Sequence, residues 1–428
     1  MKLTIDNFAK ISHADISIDG ITVIAGENNT GKSTVGKILF SLFNATSNFN
    51  DKILNQRMKE IQTTCWMNIH SYFLSNGKSA SKIYRSLSEI TYKITENIRK
   101  TLASHKEDNY EYICRILKDS LPNDDLVNTD ELITLLAEKI NDLLKLSENS
   151  VMLEILTRYF EGMFNHQINS LIKEDTVAKL TLTVKNNTID LSFVNDECTE
   201  FIPDISLVSK AIYIDNPFII DKLSSFGDLS ITENYLNKLL LKVSEADIME
   251  GVFETVLAKE KLNEIFETLR SIVNGQIIFN NDEFYLKKEG FSKPISFTNL
   301  STGLKSFVII KMLVENNLIK EKDVLILDEP EIHLHPQWQV VYAELIVLLQ
   351  KVFDLSIIVT THSPYFLDAI NLFSVKYGID SKVNYYLSSV ENDAVQMTSV
   401  TNNLDLIYQK MVSPIEMLET LRYELNNN

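Results

Sequence analysis

The spacing of hydrophobic residues predicts two strand segments near the N-terminus, then a loop and a helix. Runs of β-branched and apolar residues at 2–5 and 16–24 are typical of strands. A loop bounded by glycines follows at 26–31. From 33 to 42, apolar residues recur every three or four positions, as on one face of a helix. The sequence therefore predicts a strand, a glycine-bounded loop and a helix in immediate succession.

The next part of the chain has a persistent helical period. It extends from 51 to 174 and is interrupted by turn-forming clusters at 75–81, 104–109 and 121–128. This pattern predicts about five helices of ordinary length. No single heptad register continues through them, so we do not expect a long coiled-coil arm.

Strands and helices are mixed in the remainder. The predicted strands are 180–184, 189–193, 211–214, 276–280, 284–287, 324–327 and 356–360, and the predicted helices are 231–269, 307–314, 338–352 and 414–425. Hairpins are expected across Asn186-Asn187, across Asn281-Asp282 and around 391–393. The fold class is therefore α/β. We divide the chain into an N-terminal lobe (1–50), a helical insert (51–178), a continuation of the first lobe (179–298) and a C-terminal lobe (299–428).

Composition places the chain among soluble globular proteins, with 45% hydrophobic and 23% charged residues. No apolar run approaches the roughly 18 residues of a membrane span, and charges occupy the first 19 residues, where a signal peptide would be apolar. Cys65, Cys114 and Cys198 are far apart and form no CxxC pair, which argues against a disulfide framework or a zinc site. We expect a cytoplasmic protein with no membrane partner.

The net charge of -17 makes indiscriminate binding of nucleic acid implausible. One segment of the insert nevertheless has a local charge of +5. Between 78 and 106 the sequence has seven basic residues and only two acidic ones, Glu89 and Glu96. We call the seven the basic cluster: Lys78, Lys82, Arg85, Lys93, Arg99, Lys100 and Lys106. This cluster is either a solvated helix face or a contact for nucleic acid or an acidic partner. The candidate contact residues are Lys82, Arg85, Lys93 and Arg99.

The strongest motif is the octapeptide GENNTGKS at 26–33, which has the P-loop pattern GxxxxGK[ST]. Its backbone N–H groups can surround phosphate oxygens, and the following helix presents its N-terminus to the anion. Lys32 would contact the β- and γ-phosphates of ATP, and the Ser33 hydroxyl would bind Mg²⁺. The residues expected to hold ATP are Gly26, Asn28, Asn29, Thr30, Gly31, Lys32, Ser33 and Thr34.

A second motif ends the predicted buried strand 324–327 with two acidic residues, Asp328 and Glu329. Carboxylates are costly at the end of an apolar strand unless they face a cation or a reaction centre. Together with the P-loop, they predict that Asp328 binds Mg²⁺ and that Glu329 polarises the attacking water.

Two further motifs complete the set. Residues 299–306, with Leu300, Ser301 and Gly303, precede a predicted helix and resemble the signature loop of ABC-type ATPases. His362 ends the buried strand 356–360, where these ATPases place a histidine that contacts the γ-phosphate.

The four motifs occur in the order found in ABC-type ATPases, and the chain resembles the SMC-, RecF- and OLD-like branch of that superfamily. The segment DEPEIHLHP at 328–336 is similar to one in ATPase subunits of bacterial anti-phage systems of the Septu, retron-associated PtuA and PARIS AriA types. The resemblance implies an ABC-type P-loop ATPase head, a mixed sheet with flanking helices, carrying a compact helical insert.

The resemblance also implies partners. In this superfamily, Ser301 and Gly303 would act on ATP held by a second copy, which predicts an ATP-dependent homodimer or a higher homo-oligomer. In the defence setting, the dimer would control a separate effector, a nuclease or toxin. His333 and His335 are read as part of the dimer interface rather than as metal ligands, because no third ligand is suitably spaced.

Some features depart from the family pattern. Thr302, Leu304 and Lys305 replace commoner signature residues, and no glutamine marks a Q-loop, although the region before Asn216 is the place to look. Only 66 residues (428 minus 362) follow His362, without the acidic pair of a Toprim nuclease, so we expect no intrinsic nuclease. A RecF-like DNA clamp is the main alternative, and the large insert argues against a transporter ATPase.

Overall fold

A computed structural model describes residues 1–75, 80–104, 110–121, 129–223, 228–241, 262–280 and 283–427. The chain divides into two compact units, one formed by 1–47 with 156–428 and the other by 48–155. The sequence placed the end of the helical insert at 178, later than this division. The difference arises because Phe160 lies among Phe8 and Phe193 of the first unit, at ring-centroid distances of 6.1 and 4.8 Å.

The first unit contains all the described strands. They are β1 (Lys2–Phe8), β2 (Ile11–Ser17), β3 (Ile21–Gly26), β4 (Ala178–Val184), β5 (Asn187–Val194), β6 (Glu197–Pro203), β7 (Ala211–Ile214), β8 (Gln276–Asn280), β9 (Glu283–Lys287), β10 (Ile295–Ser296), β11 (Val324–Asp328), β12 (Ser356–Thr361), β13 (Val383–Glu391) and β14 (Ala394–Ser399).

Helices occur in both units. They are α1 (Lys32–Thr46), α2 (Phe49–Ser75), α3 (Ala80–Ser104), α4 (Tyr110–Ser120), α5 (Thr129–Lys145), α6 (Glu148–Phe164), α7 (Ile231–Leu241), α8 (Asn263–Ile272), α9 (Thr302–Glu315), α10 (Pro336–Phe353), α11 (Pro364–Lys376) and α12 (Asp405–Asn427). Short 3₁₀ helices lie at Pro217–Lys222, Phe297–Asn299 and Asp380–Lys382.

Eleven strands form one mixed sheet in the order β6-β5-β4-β1-β2-β14-β13-β3-β12-β11-β7. Neighbouring strands from β13 to β7 are parallel, β14 is parallel to β2, and the remaining pairs are antiparallel. A separate antiparallel sheet has the order β10-β9-β8. The mixed sheet with flanking helices confirms the expected fold class.

The parallel strands are continuous apolar runs because helices cover both of their faces. Along β11, Leu325 and Leu327 join the core that includes α9, α10 and α11. Ile326 faces the other way, towards Gly36 of α1, where an added Cβ would lie 2.7 Å from its Cγ2 atom. Because these strands are parallel, their carboxyl ends lie along the same edge of the sheet, and the polar residues that follow them lie at that edge.

The C-terminal hairpin is part of this sheet. Strand β13 pairs with β3 and β14 pairs with β2, so the hairpin joins two strands from the beginning of the chain. Its turn residues Asn392 and Asp393 both have left-handed φ angles, of 50° and 65°, as a tight hairpin requires. The sequence located this hairpin correctly but assigned it to a short tail.

Several predicted boundaries were wrong. Segment 16–24 is the end of β2 and the start of β3, and the first hairpin turns at Lys185-Asn186, one residue early. Strand β6 was missed. Helix 231–269 is described only as α7 and α8, because 242–261 lie outside the described residues, as does Asn281-Asp282.

The last helix begins nine residues earlier than predicted and continues through Pro414. Proline lacks the N–H that would bond to the carbonyl oxygen of Lys410, four residues earlier. The hydroxyl of Ser413 donates to that carbonyl at 3.1 Å. This local bond gives the carbonyl a partner within the helix.

The second unit is helical, from α2 to α5 with the beginning of α6. Apolar residues recur every three or four positions along α2 and meet those of α3, α4 and α5. The core includes Met58, Ile61, Cys65, Ile69, Phe73, Leu87, Ile94, Ile98, Ile113, Leu117, Leu136 and Ile140. The described part of 49–164 contains five helices, as expected, but α2 and α3, with 27 and 25 residues, are longer than ordinary. Among the described helices, none is both long and apolar enough to cross a membrane.

Candidate nucleotide-binding and hydrolysis site

The P-loop joins β3 to α1 and is supported by β13. Gly26 lies opposite Ser388, whose carbonyl oxygen would be only 2.4 Å from a Cβ at position 26. The Ser388 hydroxyl donates to the Thr30 carbonyl, and Gly31 precedes α1 with a left-handed φ of 75°. Side chains 27–29 are exposed at the tip of the loop, whereas Thr30 is buried. The predicted loop between a strand and a helix is therefore present.

Lys32 extends back along the loop from the first turn of α1. Its Nζ donates to the carbonyl oxygens of Gly26 at 3.0 Å and Glu27 at 2.7 Å. The same nitrogen lies 3.4 Å from Glu329 Oε1, and the side chain is only 3% exposed. A buried positive charge is thus held on the loop that the sequence assigns to phosphate binding. Thr34 follows in the same turn, where its N–H donates to the Gly31 carbonyl at 3.1 Å.

Asp328, at the carboxyl end of β11, accepts three hydroxyl groups. Ser33 Oγ and Thr360 Oγ1 donate to Oδ1 at 2.9 and 2.5 Å, and the Tyr213 hydroxyl donates to Oδ2 at 2.7 Å. Burial, together with the nearby Asp328 charge, raises the pKa of Tyr213 well above its ordinary value, so it remains a neutral donor. Carboxylate and hydroxyl oxygens are ligands that Mg²⁺ prefers. Ser33 and Asp328 therefore fit the expected ion.

Glu329 has an unusual backbone conformation for a residue with a side chain. Its φ angle is 48°, in the left-handed region, which costs a non-glycine residue about 1–2 kcal/mol. Its N–H is fixed by Thr360, whose Oγ1 and carbonyl oxygen accept at 2.9 and 3.2 Å. Its carboxylate lies near Lys32 and near His362. Strain of this kind is found at functional sites, where the surrounding structure maintains it.

His362 follows β12 and is 44% exposed. Its Nδ1 atom lies 3.7 Å from Glu329 Oε1 and 3.5 Å from Glu331 Oε1. Next to it, the Ser363 hydroxyl accepts from the N–H of Phe366 and caps α11. The structure therefore brings His362 to the same strand ends as Lys32, Ser33, Asp328 and Glu329.

The signature loop begins α9. Ser301 is exposed at the N-cap and makes no side-chain capping bond. Gly303 lies so close to the segment after β11 that an added Cβ would be 3.0 Å from the His333 carbonyl oxygen. Lys305 is buried, and its Nζ bonds to both carboxylate oxygens of Asp221 at 2.7 Å. This ion pair accounts for the lysine where the family pattern has a different residue.

Asp215 is a site residue that the sequence did not identify. It directly follows β7, the parallel neighbour of β11. The residue as a whole is exposed, but protein atoms around its carboxyl group separate that group from water. This burial, and to a smaller extent the charge of Asp328, raises the pKa of Asp215 from 3.8 to about 6. Asp215 therefore occupies the region that the sequence suggested for a Q-loop.

The raised pKa of Asp215 predicts that the free energy of unfolding depends on pH. Between 3.8 and about 6 the folded chain binds a proton that the unfolded chain releases, so this group's contribution to stability falls as pH rises through that window. Without nucleotide or Mg²⁺, Asp215→Asn should have a higher Tm than wild type at about pH 7.5, and nearly the same Tm at about pH 4. Asp19→Asn, at an exposed turn, is the control. An equal Tm difference at both pH values would contradict the prediction.

The remaining candidates have other surroundings. His335 caps α10 by accepting from the Gln337 N–H, and the His333 ring lies 5.6 Å from Phe218. The described residues contain no group of three or more His, Cys, Asp and Glu placed to bind a metal. Lys93 donates to the Asp119 carbonyl and Arg99 to Asn55 Oδ1. The side chains of Lys82 and Arg85 lie outside the described residues.

The mixed sheet, the P-loop after β3 and the acidic pair after β11 define an ABC-type P-loop ATPase head. A family model described as AAA ATPase domain matches residues 1–367. The chain therefore belongs to the AAA ATPase domain family, and this membership supports ATPase activity.

One curated relative is the Septu protein PtuA of Bacillus thuringiensis. It is 34% identical over 195 residues, which are 42% of this chain and 47% of that protein. The match thus spans about half the length of the relative.

Solved structures with some likeness include SMC heads. An SMC head bound to the C-winged helix domain of ScpA has a TM-score of 0.46 and 14% identity, covering 95% of this chain and 98% of that one. The SMC head domain from Thermotoga maritima has a TM-score of 0.39 and 12% identity, covering 93% and 98%.

Proposed function

We propose that this protein is an ATPase that dimerises around ATP and acts as a nucleotide-driven switch, controlling a separate effector in bacterial anti-phage defence. The observation that carries the proposal is the close approach of Lys32 and His362 to the Glu329 carboxylate, at 3.4 and 3.7 Å. It places a cation, an acidic group and an imidazole at the ends of parallel strands beside the P-loop. The family membership and the PtuA likeness support it.

Each residue of the site would have its own role in ATP hydrolysis. Lys32 and the P-loop N–H groups would hold the phosphates, and Glu329 would orient the attacking water and accept its proton. Ser33 and Asp328 would hold Mg²⁺, which when bound supplies positive charge to the phosphate oxygens. Thr360 would maintain the alignment, because its hydroxyl contacts Asp328 and its oxygens fix the Glu329 N–H.

The proposed dimer is supported by the surface around the signature loop. Ser301 is exposed, and nearby Phe218 and Ile332 are 40% and 55% exposed despite their apolar side chains. The ring of Phe218 contacts the Lys305 ammonium and the His333 ring, so these elements form one surface. Exposed apolar residues next to a phosphate-binding motif are suited to contact with a second copy holding ATP.

Two observations support the proposed effector: the likeness to PtuA, and the resemblance of segment 328–336 to ATPase subunits of anti-phage systems. The DNA-clamp alternative depended on the basic cluster. Of its four candidate contacts, Lys93 and Arg99 bind neighbouring groups of the insert, and the others are outside the described side chains. No described contact favours the clamp.

The dimer is tested by Ser301→Arg. An arginine at this exposed position would block closure of a second copy, while the P-loop of each copy remains intact. We expect light scattering to show ATP-dependent dimers for wild type and only monomers for the variant, with affinity for ATP in the monomer unchanged. Ser292→Arg adds the same charge at an exposed residue outside the loop and should dimerise normally. If Ser301→Arg forms dimers at the same ATP concentration as wild type, the proposed interface is wrong.

A further inference from the structure

Glu331 is a buried acidic residue two positions after Glu329. Its side chain is 2% exposed, and Oε1 accepts from the Thr361 hydroxyl at 2.6 Å and from the His362 N–H at 2.9 Å. The turn after β11 is therefore tied, through one carboxylate oxygen, to the end of β12.

These two bonds belong to a connected network. The Thr361 hydroxyl also accepts from the N–H of Ser363 at 3.0 Å. The Ser363 hydroxyl donates to Gln339 Oε1 at 2.7 Å, and Gln339 Nε2 donates to the Leu334 carbonyl at 3.1 Å. The residues on both sides of His362 are thus fixed to the segment that follows the acidic pair.

The imidazole lies between two carboxylates. Its Nδ1 is 3.5 Å from Glu331 Oε1 and 3.7 Å from Glu329 Oε1. Because Glu331 is buried and its Oε1 accepts the backbone N–H of the same histidine, it fixes the main chain there and places a carboxylate oxygen 3.5 Å from the ring nitrogen. Glu331 therefore holds the main chain of His362 where the imidazole lies near the Glu329 carboxylate.

The other oxygen, Glu331 Oε2, is buried and has no hydrogen-bond partner among the described residues. A buried carboxylate with an unpaired oxygen destabilises a fold unless another role accompanies it. An apolar residue here would remove the unpaired oxygen, but it would leave the Thr361 hydroxyl and the His362 N–H without their acceptor. The unpaired oxygen is thus unexpected for a residue that only supports the turn.

We propose that Glu331 is a positioning residue for ATP hydrolysis, holding His362 beside Glu329. The inference rests on the proposed function, in which His362 and Glu329 take part in hydrolysis. Glu331 acts through the histidine and its neighbour Thr361 and is not assigned contact with ATP.

The test measures steady-state ATP hydrolysis of the full chain. Glu331→Ala should lower kcat about ten- to a hundredfold, since small displacements of catalytic groups have effects of this size, and should leave KM within about twofold. Glu331→Gln keeps an oxygen that can accept both hydrogen bonds and should restore most of kcat. Thr361→Val replaces the hydroxyl with a methyl group, which removes the bond to Glu331 and the bond from the Ser363 N–H. It should also lower kcat and serves if Glu331→Ala does not fold.

A double-mutant cycle separates positioning from structural support. If Glu331 acts through His362, adding Glu331→Ala to His362→Ala should cause no further loss of kcat. The matched control is Glu344→Ala, because Glu344 also accepts two hydrogen bonds, from Lys376 and Tyr377, away from the site. It should lower Tm and leave kcat unchanged.

Two results would overturn the inference, and they can be told apart. If His362→Ala lowers kcat and Glu331→Ala lowers it by the same factor in both backgrounds, only the positioning role is wrong. If His362→Ala hydrolyses ATP at the wild-type rate, the proposed role of His362 fails, and the role of Glu331 fails with it.

Discussion

Glu329→Gln should hydrolyse ATP about 100- to 1,000-fold more slowly than wild type and still bind it. The amide keeps the size of the carboxylate and its place near Lys32 but cannot accept a proton, and loss of a general base has effects of this size. Because hydrolysis would normally end the ATP-bound state, the variant should accumulate as a dimer. Single-turnover hydrolysis and light scattering with Mg-ATP measure the two effects.

Glu289→Gln is a suitable control for that variant. Glu289 is an exposed acidic residue beyond β9, and its substitution should change neither rate nor assembly. Hydrolysis by Glu329→Gln at the wild-type rate would show that another group accepts the proton. In that case, the left-handed backbone and the contacts with Thr360 would require a different explanation.

Lys32→Ala should lower the affinity for ATP by at least about 100-fold. The ammonium is buried on the loop, and charge-assisted hydrogen bonds to phosphate are about twice as strong as neutral ones. Equilibrium binding of a fluorescent ATP analogue measures the loss directly. The proposed defence role also predicts that cells expressing the variant lose protection from phage.

The control for Lys32→Ala is Lys2→Ala. Lys2 pairs with Asp15 on the exposed side of β1, and both side chains are about half exposed. Its loss should leave ATP binding and phage protection unchanged. Wild-type ATP affinity in Lys32→Ala would contradict the assignment of the P-loop.

The sequence could predict the parts of the site that are local. The P-loop, the acidic pair and His362 each follow a strand whose apolar pattern is visible in the chain. Because the carboxyl ends of parallel strands share one edge of a sheet, these residues come together once the strands pair.

Tyr213, Asp215 and Thr360 could not be assigned in the same way. Their roles depend on which strands are neighbours, and β7, β11 and β12 come from segments far apart in the chain. A polar pair, Thr360 and Thr361, at the end of an apolar strand was a usable signal. Glu331 was quoted as part of a family segment, but its burial against β12 is a tertiary property.

The fold shows the same limit. Binary patterns located the strands, but the place of the C-terminal hairpin between β3 and β2 depends on non-local pairing. One-residue errors at hairpin turns have a local cause. Lys185 has a φ of 57°, a conformation for which lysine gives no signal, whereas the sequence favoured the two asparagines.

The central claim is that the P-loop of one copy and the signature loop of another form each ATP site. It is tested most directly by mixing Lys32→Ala chains with Ser301→Ala chains, because alanine removes the signature hydroxyl without the bulk that would block closure. In a mixed dimer, one site carries both changes and the other carries neither. We expect each variant alone to hydrolyse ATP far more slowly than wild type. An equal mixture should recover roughly a quarter of the wild-type rate when chains pair at random, since half of the dimers are then mixed and each has one intact site. A mixture as inactive as its components would contradict the claim.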